Sequence, residues 1–576
     1  MQSRREFIGT GLSAFFIGLL NRSALARQAA GPGATHGAPI SSASPGSPVN
    51  LVEDMPESVM IDGFPFAPFF LGDDFPKASA IPFHSAEDEF PGGKPPAPTE
   101  EVDVAIIGGG MSGLSTAYFL RDYYPVIFEL HERFGGVSGG ESWSGIRYSK
   151  GGAYFITPDK GSFLESLYQE LGLDQVYRYS AGGMDPMELN NVILKDFWNG
   201  LSDDDARAFQ RYAEIVAYYA DEAYPDIPLD PKKDNQWIID LDQLTFKQDL
   251  EQRMGMPIPP LLAAGIQSYF YSSFDSSWET VSAASGWNFI AAEEFGRWVC
   301  PGGNNWVIDQ FYKRILRAYK HGPDGADVTD RLRPNHRAVD VRVQDDGRVL
   351  ISYKTPGGEF RSLLARRCVV ACSKHIAKHF IHDLQNLDLD KSIAMSSVQT
   401  NPYVVANVLL TEPIKNDFYD TFLLGDGNFP MTEPEAANEY PVTDMITGDF
   451  AGYNAHPRNV LTLYWPLPVP SMVFLLIDDD AYMNFAHRLV PQLQRILDIL
   501  GLPAGAVRQI RMTRWGHAMP IASPGLLALD VPNRIRRPFM GSVYFVNQDN
   551  WLLPAFETCL LEAKTFSDQI RADLKS

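Results

Sequence analysis

The residues best suited to chemistry lie together at Gly108-Gly109-Gly110-Met111-Ser112-Gly113, where an apolar run (Val102-Asp103-Val104-Ala105-Ile106-Ile107) meets a helical pattern (Leu114 to Leu120). Glycines at this spacing, between a strand and a helix, bind a dinucleotide. Gly108 permits the tight turn, Gly110 lets the backbone approach a pyrophosphate, and Gly113 lets helix and strand pack closely. The phosphates then meet the helix start at Met111 and Ser112, where backbone N–H groups and the helix dipole favour an anion. Glu129 follows a second apolar run, Val126-Ile127-Phe128. It stands at the distance from the loop of a carboxylate that hydrogen-bonds a ribose diol. The glycines alone do not choose between NAD and FAD.

These residues need large elements to hold them. At 576 residues the chain has room for roughly two to four domains. A hydrophobic content of 45% and an aromatic content of 12% exclude a disordered or fibrous chain. A net charge of −22 argues against a nucleic-acid partner, which needs a basic face, and attracts cationic small molecules. Four cysteines are too few for a disulfide scaffold. Cys368 and Cys372 share a strand-like run, about 13 Å apart if extended, too far to bridge. No Cys/His cluster has metal-site spacing, so no metal is expected.

The chain opens with Arg4-Arg5, an apolar run from Phe7 to Leu20, and Ala24-Leu25-Ala26. This reads as a secretory signal over 1–26, too short to span a membrane. The paired arginines resemble a twin-arginine export signal, which implies a bacterial, periplasmic protein and the twin-arginine export machinery as a partner. Residues 27–58 read as a flexible Gly/Ala/Ser/Pro linker. Residues 59–99 read as an irregular aromatic- and proline-rich arm. Helical periodicity dominates 160–260, strand alternation returns at 335–371 with a hairpin at Asp345-Asp346-Gly347, and further strands follow over 400–475. An amphipathic helix is expected at 480–500, and no later stretch is long and apolar enough to span a membrane.

Glu129-Leu130-His131-Glu132-Arg133-Phe134-Gly135-Gly136 resembles the Glu-Ala-x-x-Arg-x-Gly-Gly segment of the flavin-containing amine oxidase superfamily. That group includes monoamine and polyamine oxidases, protoporphyrinogen oxidases and carotenoid desaturases. The resemblance implies FAD, with Arg133, Gly135 and Gly136 along its diphosphate; Val137 stands where the family has another arginine. Gly151-Gly152-Ala153-Tyr154-Phe155 resembles the segment passing the isoalloxazine ring, which implies cofactor roles for Gly152, Ala153 and Tyr154. Cys300-Pro301-Gly302-Gly303 resembles the family's central Pro-Gly-Gly element, and Val339 matches the residue whose backbone holds the adenine. Arg514 to Pro520 resembles the crossover that returns to the flavin. Val543 to Asp549, with the helix beginning near Phe556, resembles the closing FAD motif. It implies that Asp549 faces the ribityl–pyrophosphate part and that Phe556 opens a helix aimed at the flavin pyrimidine. These matches keep their order over 102–576, and with the leader they look most like exported bacterial spermidine-dehydrogenase-like members.

The resemblance implies an α/β chain: a discontinuous Rossmann-type FAD-binding domain (100–160, 291–380 and 524–576) alternating with an α+β substrate domain (161–290 and 381–523). The chemistry implied is hydride removal from a C–N bond of an amine or polyamine to flavin N5, followed by reoxidation by oxygen or an electron-transfer partner. The candidate catalytic residues are His517, Asn407 and Trp551. Asn407 falls where the family has a lysine that holds a water near N5, and His517 falls near the family's occasional covalent cysteine. Ala518 and Ala555 stand where the family faces two aromatic rings, with Trp515, Trp551 and Phe556 close by. Glu279, Glu293 and Glu294 are candidate anchors for a cationic substrate. Two alternatives stay open: dehydrogenation of an apolar C–C bond, and a non-catalytic flavoprotein that serves in binding or assembly.

Overall fold

A computed structural model describes residues 46–52, 57–74, 89–435, 441–467, 475–476 and 478–575. The leader expected at 1–26 and most of the expected linker lie outside them. The apolar run before the glycines becomes the strand Pro98–Ile107, inside a seven-stranded sheet. Val126–Phe128 and then Leu332–Arg333 extend it in parallel on one side, and Phe360–Val370 pairs in parallel on the other. Val349–Lys354 and Arg337–Val343 continue antiparallel, while Val543–Phe545 adds a parallel strand against Phe360–Val370. Val104, Ala105 and Ile106 are each 0% exposed, because a parallel strand covered on both faces has no polar side to show. Helices Met111–Phe119, Asn304–Lys320 and Phe556–Lys575 pack together over one face.

A second sheet of ten strands is built around the antiparallel Asn459–Pro466, Thr400–Leu410 and Val507–Pro520. The helix expected at 480–500 forms as Ala481–Leu500, and its apolar side, including Phe485, Leu489 and Leu493, covers one face of that sheet. The opposite face looks toward the glycine loop. Most of 160–260 is helical as expected, but Met187–Leu189 and Val192–Leu194 form edge strands of the second sheet.

Two segments differ from the expectation of irregular chain. In the expected linker, Val49–Leu51 forms a strand parallel to Gly140–Trp143. In the expected arm, Val59–Ile61, Phe64–Phe66 and Leu71–Gly72 extend the second sheet along Val507–Pro520. The reason is tertiary. Strand edges elsewhere in the chain need hydrogen-bond partners, and the alternating Phe64 and Phe66 find a core there at 4% and 0% exposure. The cysteines are free thiols. No described helix is long and apolar enough to cross a membrane.

Candidate functional site

The glycine loop is shaped by steric necessity on three sides and left open on the fourth. Gly108 leaves the strand at φ +104°, and a Cβ there would stand 2.8 Å from Ala371 O. A Cβ on Gly113 would stand 1.8 Å from Gly108 O, so helix and strand approach as only glycine allows. Gly135 N–H donates to Gly109 O at 2.9 Å and supports the loop. Around Gly110 nothing stands nearer than 3.9 Å to an added Cβ, so this glycine faces open space at the start of Met111–Phe119. Glu129, 5% exposed, accepts Gly109 N–H through Oε2 and His131 N–H through Oε1, both at 2.8 Å. The cradle and the fixed carboxylate fit a dinucleotide.

A cavity of about 1500 Å³ runs from this loop to the second sheet. Gly108, Gly110, Met111, Ser112, Glu129 and Gly136 line one end, and Asp549 and Phe556 another part of its wall. Gly152, Ala153 and Tyr154 line it where it meets the second sheet, as do His517, Trp551, Ala518 and Ala555. Gly113, Arg133, Gly135 and Val339 do not line it. Arg133 reaches Ser47 O at 3.5 Å, and Val339 is 4% exposed within its strand, with its neighbours Arg337 and Ala338 on the wall instead.

Asn407 requires a correction. It does not line the cavity; Val405 and Tyr403, one and two steps back along the same strand face, do. Its amide donates to Ser149 O at 3.1 Å and its carbonyl accepts from Thr462 at 2.7 Å. It thereby belongs to a clamp that sequence reading missed. Trp515 donates to Lys150 O at 2.8 Å, Tyr464 to Gly151 O at 2.5 Å and Tyr419 to Ala153 O at 3.0 Å. Asn304 N–H reaches Gly152 O at 3.3 Å. Five consecutive carbonyls are thus held, four of them by side chains of the second sheet or its edge, and 149–153 cannot move independently of that sheet.

His517 Nδ1 lies 2.9 Å from Thr400 Oγ1, and its ring packs 4.4 Å from that of His375. Burial lowers its pKa, so it is a neutral imidazole at neutral pH. The Trp551 indole is committed to Glu562 Oε1 at 2.9 Å, a carboxylate also held by Arg536.

The second-sheet end of the cavity is acidic. Glu293, Asp420 and Asp444 line it and are 1%, 3% and 2% exposed. The one guanidinium among them, Arg297, is fully buried and hydrogen-bonded to Asp185, with Asp420 at 3.6 Å and Glu293 at 3.7 Å. Three carboxylates therefore share one cation, with Asp444 close by as a fourth acid. Asp420 Oδ1 and Asp444 Oδ1 make no hydrogen bond. Burial pushes the Glu293 carboxyl up to about 7 in spite of Arg297, and burial with Asp444 beside it holds Asp420 well above the usual carboxylate range. Tyr154 hydroxyl donates to Glu293 at 2.8 Å, and its ring lies 4.5 Å beneath Arg297.

Of the three glutamates read as anchors, Glu293 is on the cavity wall. Glu279 is paired with Lys247 at 2.7 Å, and Glu294 does not line the cavity. Asp420 and Asp444 were not anticipated. Each opens a short strand, and the pairing of Phe422 with Asp444 brings both carboxylates to one face.

The fold and site define a mixed α/β protein with a Rossmann-like dinucleotide-binding domain: residues 106–171 match the NAD(P)-binding Rossmann-like domain. Over about four-fifths of its length the chain matches the fold of flavin amine oxidases. It superposes on putrescine oxidase bound to putrescine with a TM-score of 0.58 at 15% identity, covering 82% of this chain and 100% of that one. A protoporphyrinogen oxidase-like protein of Exiguobacterium sp. 255-15 superposes with a TM-score of 0.54 at 15% identity, covering 83% and 100%. In sequence the chain is similar to Oxidoreductase PigB of Serratia sp. (strain ATCC 39006), 20% identical over 559 residues, covering 87% of this chain and 79% of that protein. At such identities the structural likeness speaks for the fold and leaves the substrate open.

Proposed function

We propose that the chain is an FAD-dependent oxidoreductase acting on the C–N bond of a positively charged amine, such as a diamine or polyamine. The observation that carries this reading is the acidic wall: three buried carboxylates face the cavity, and the one buried guanidinium near them lies between Glu293 and Asp420 and is already bonded to Asp185. A cationic nitrogen supplies the missing positive charge, and its arrival favours release of the protons that burial makes Glu293 and Asp420 hold. An apolar substrate would leave those groups unpaired, at a cost.

Support for FAD over a nicotinamide cofactor comes from the Glu129–Gly136 segment and from Asp549 and Phe556 on the same cavity wall. FAD supplies the hydride acceptor when bound. The chain's own part is to present a substrate C–H bond beside the clamped 149–153 segment, to exclude water, and to keep the reacting nitrogen neutral by desolvation. The leader over 1–26 supports export to the bacterial periplasm, where oxygen or an electron-transfer partner would reoxidise the enzyme.

Dehydrogenation of an apolar substrate is the second reading, and it rests on Ala518 and Ala555, which line the cavity and stand where the resemblance would have two facing aromatic rings. Anaerobic mixing of the purified yellow protein with putrescine, spermidine, a carotenoid and a porphyrinogen decides between them. Bleaching of the flavin band by the amines is expected. Bleaching by only the carotenoid or porphyrinogen, or by none of the four, refutes the amine assignment, and a folded protein that takes up no FAD refutes the cofactor.

A further inference from the structure

Lys374 follows the strand Phe360–Val370 and opens the short helix Lys374–Phe380. It is 0% exposed, and its Nζ makes no hydrogen bond. The other fully buried lysine among the described residues is treated differently: Lys391 Nζ donates to Ile535 O at 2.8 Å and Arg534 O at 3.1 Å, and lies 4.2 Å over the Phe545 ring. An ammonium buried without acceptors is among the costliest groups a fold can hold. Such a group gives up its proton unless a negative charge nearby compensates it.

The surroundings of Lys374 point to the cavity. Its backbone N–H donates to Asp549 Oδ2 at 2.8 Å. The carboxylates that favour its ammonium belong to Asp549 and Glu562, and the Cys372 and Cys559 thiols, which burial keeps protonated, stand near it; all four are residues of the cavity wall. Glu562 is already taken by Arg536, Asn550 and Trp551. Lys391 is near enough for the two ammonium groups to oppose each other. On the same wall, Thr558 Oγ1 in the first turn of Phe556–Lys575 is a second buried polar atom without a partner.

We propose that Lys374 is a buried counter-charge for the anionic cofactor, held one layer behind the wall formed by Asp549, Cys372 and Cys559 and acting through it on the bound dinucleotide. This rests on the reading of the cavity as the FAD site. Lys374 is therefore a positioning residue that serves binding at the expense of the empty protein's stability. In a poorly screened interior a full positive charge favours an anion over several ångströms. Burial holds Lys374 below the ordinary lysine range in the empty site, so arrival of the anionic cofactor draws a proton onto it.

The test is Lys374→Met, which fills the same space without the charge. FAD-free K374M is expected to melt about 2 °C higher than FAD-free wild type and to bind FAD about tenfold more weakly. A residue with a merely structural role would lower both. FAD affinity equal to wild type, or a lower melting temperature of the FAD-free variant, overturns the proposal. The wild-type protein gives an independent check if the variant fails to fold. Calorimetric FAD binding at alkaline pH, in two buffers of different ionisation enthalpy, should show net proton uptake, and its absence overturns the proposal. A wild-type protein that binds no FAD refutes the cofactor reading itself, whereas normal wild-type binding with an unaltered variant refutes only Lys374.

Discussion

Replacing Glu293 by Gln should make the protein more stable above neutral pH while weakening its hold on a cationic substrate. Burial lifts this carboxyl from its ordinary 4.5 to about 7, even with the Arg297 guanidinium 3.7 Å away. A folded-state value raised above the unfolded one means that the native protein holds a proton the unfolded chain releases. The associated stability is present below about 4.5 and is lost as pH rises through about 7. At about 1.4 kcal/mol per tenfold change in proton affinity, the loss at pH 8 approaches about 3 kcal/mol. Gln keeps an oxygen to accept from the Tyr154 hydroxyl, now 2.8 Å away, and Arg297 keeps Asp185. The lost Glu293–Arg297 attraction trims the gain, so about 3 kcal/mol is a ceiling. Urea denaturation of wild type and E293Q at about pH 5 and about pH 8 measures it. The wild-type midpoint should fall toward alkaline pH and the variant's should fall less. An E293Q protein less stable than wild type at about pH 8, or a gap that does not change with pH, would refute the reasoning. In the same variant kcat/KM for a diamine should drop about 10- to 100-fold, the worth of one charge-assisted hydrogen bond.

Other perturbations separate the cofactor cradle from the scaffold. Gly110→Ala places its Cβ in open space, so the FAD-free protein should keep its melting temperature and lose FAD absorbance at 450 nm, about the position of a flavin band. Gly113→Ala drives a Cβ into Gly108 O, 1.8 Å away, and should instead lower the melting temperature. Glu141 is bidentate to Arg511 at 2.6 and 2.8 Å and also takes Tyr148 and Asn50, so Arg511→Met should cost about 3–5 kcal/mol in urea denaturation by leaving a buried carboxylate alone. Tyr464→Phe removes the donor to Gly151 O and should cost about 1–3 kcal/mol, with a shifted flavin spectrum as the sign that 149–153 has moved.

The sequence carried the glycine loop because its signal is local. Gly108, Gly110 and Gly113 specify a turn, an approach and a packing contact within six residues, and Glu129 follows one strand later. The helix Ala481–Leu500 was legible for the same reason, since its apolar side repeats along its own axis. Asn407 was misplaced because a strand position says which face a side chain takes and not what covers it. It does share the face of Tyr403 and Val405, yet Ser149 lies over it and closes it off from the cavity. Residues 59–72 looked irregular because their partner strand, Val507–Pro520, lies more than 400 residues away.

By itself the sequence determined that this chain carries a Rossmann-like glycine loop between a strand and a helix, and that its body mixes strands and helices throughout. Those properties follow from backbone sterics and short-range periodicity, which neighbouring residues set. Only the tertiary structure decided which acids line the cavity. Glu293, Asp420 and Asp444 come from a helix end and two strands and meet because Asp420–Leu423 pairs with Asp444–Thr447 across the cavity from Ala283–Glu293. Their chemistry was equally out of reach of the sequence, since a carboxyl's proton affinity is set by how much water and which charges surround it, and burial beside Arg297 exists only once the chain is folded.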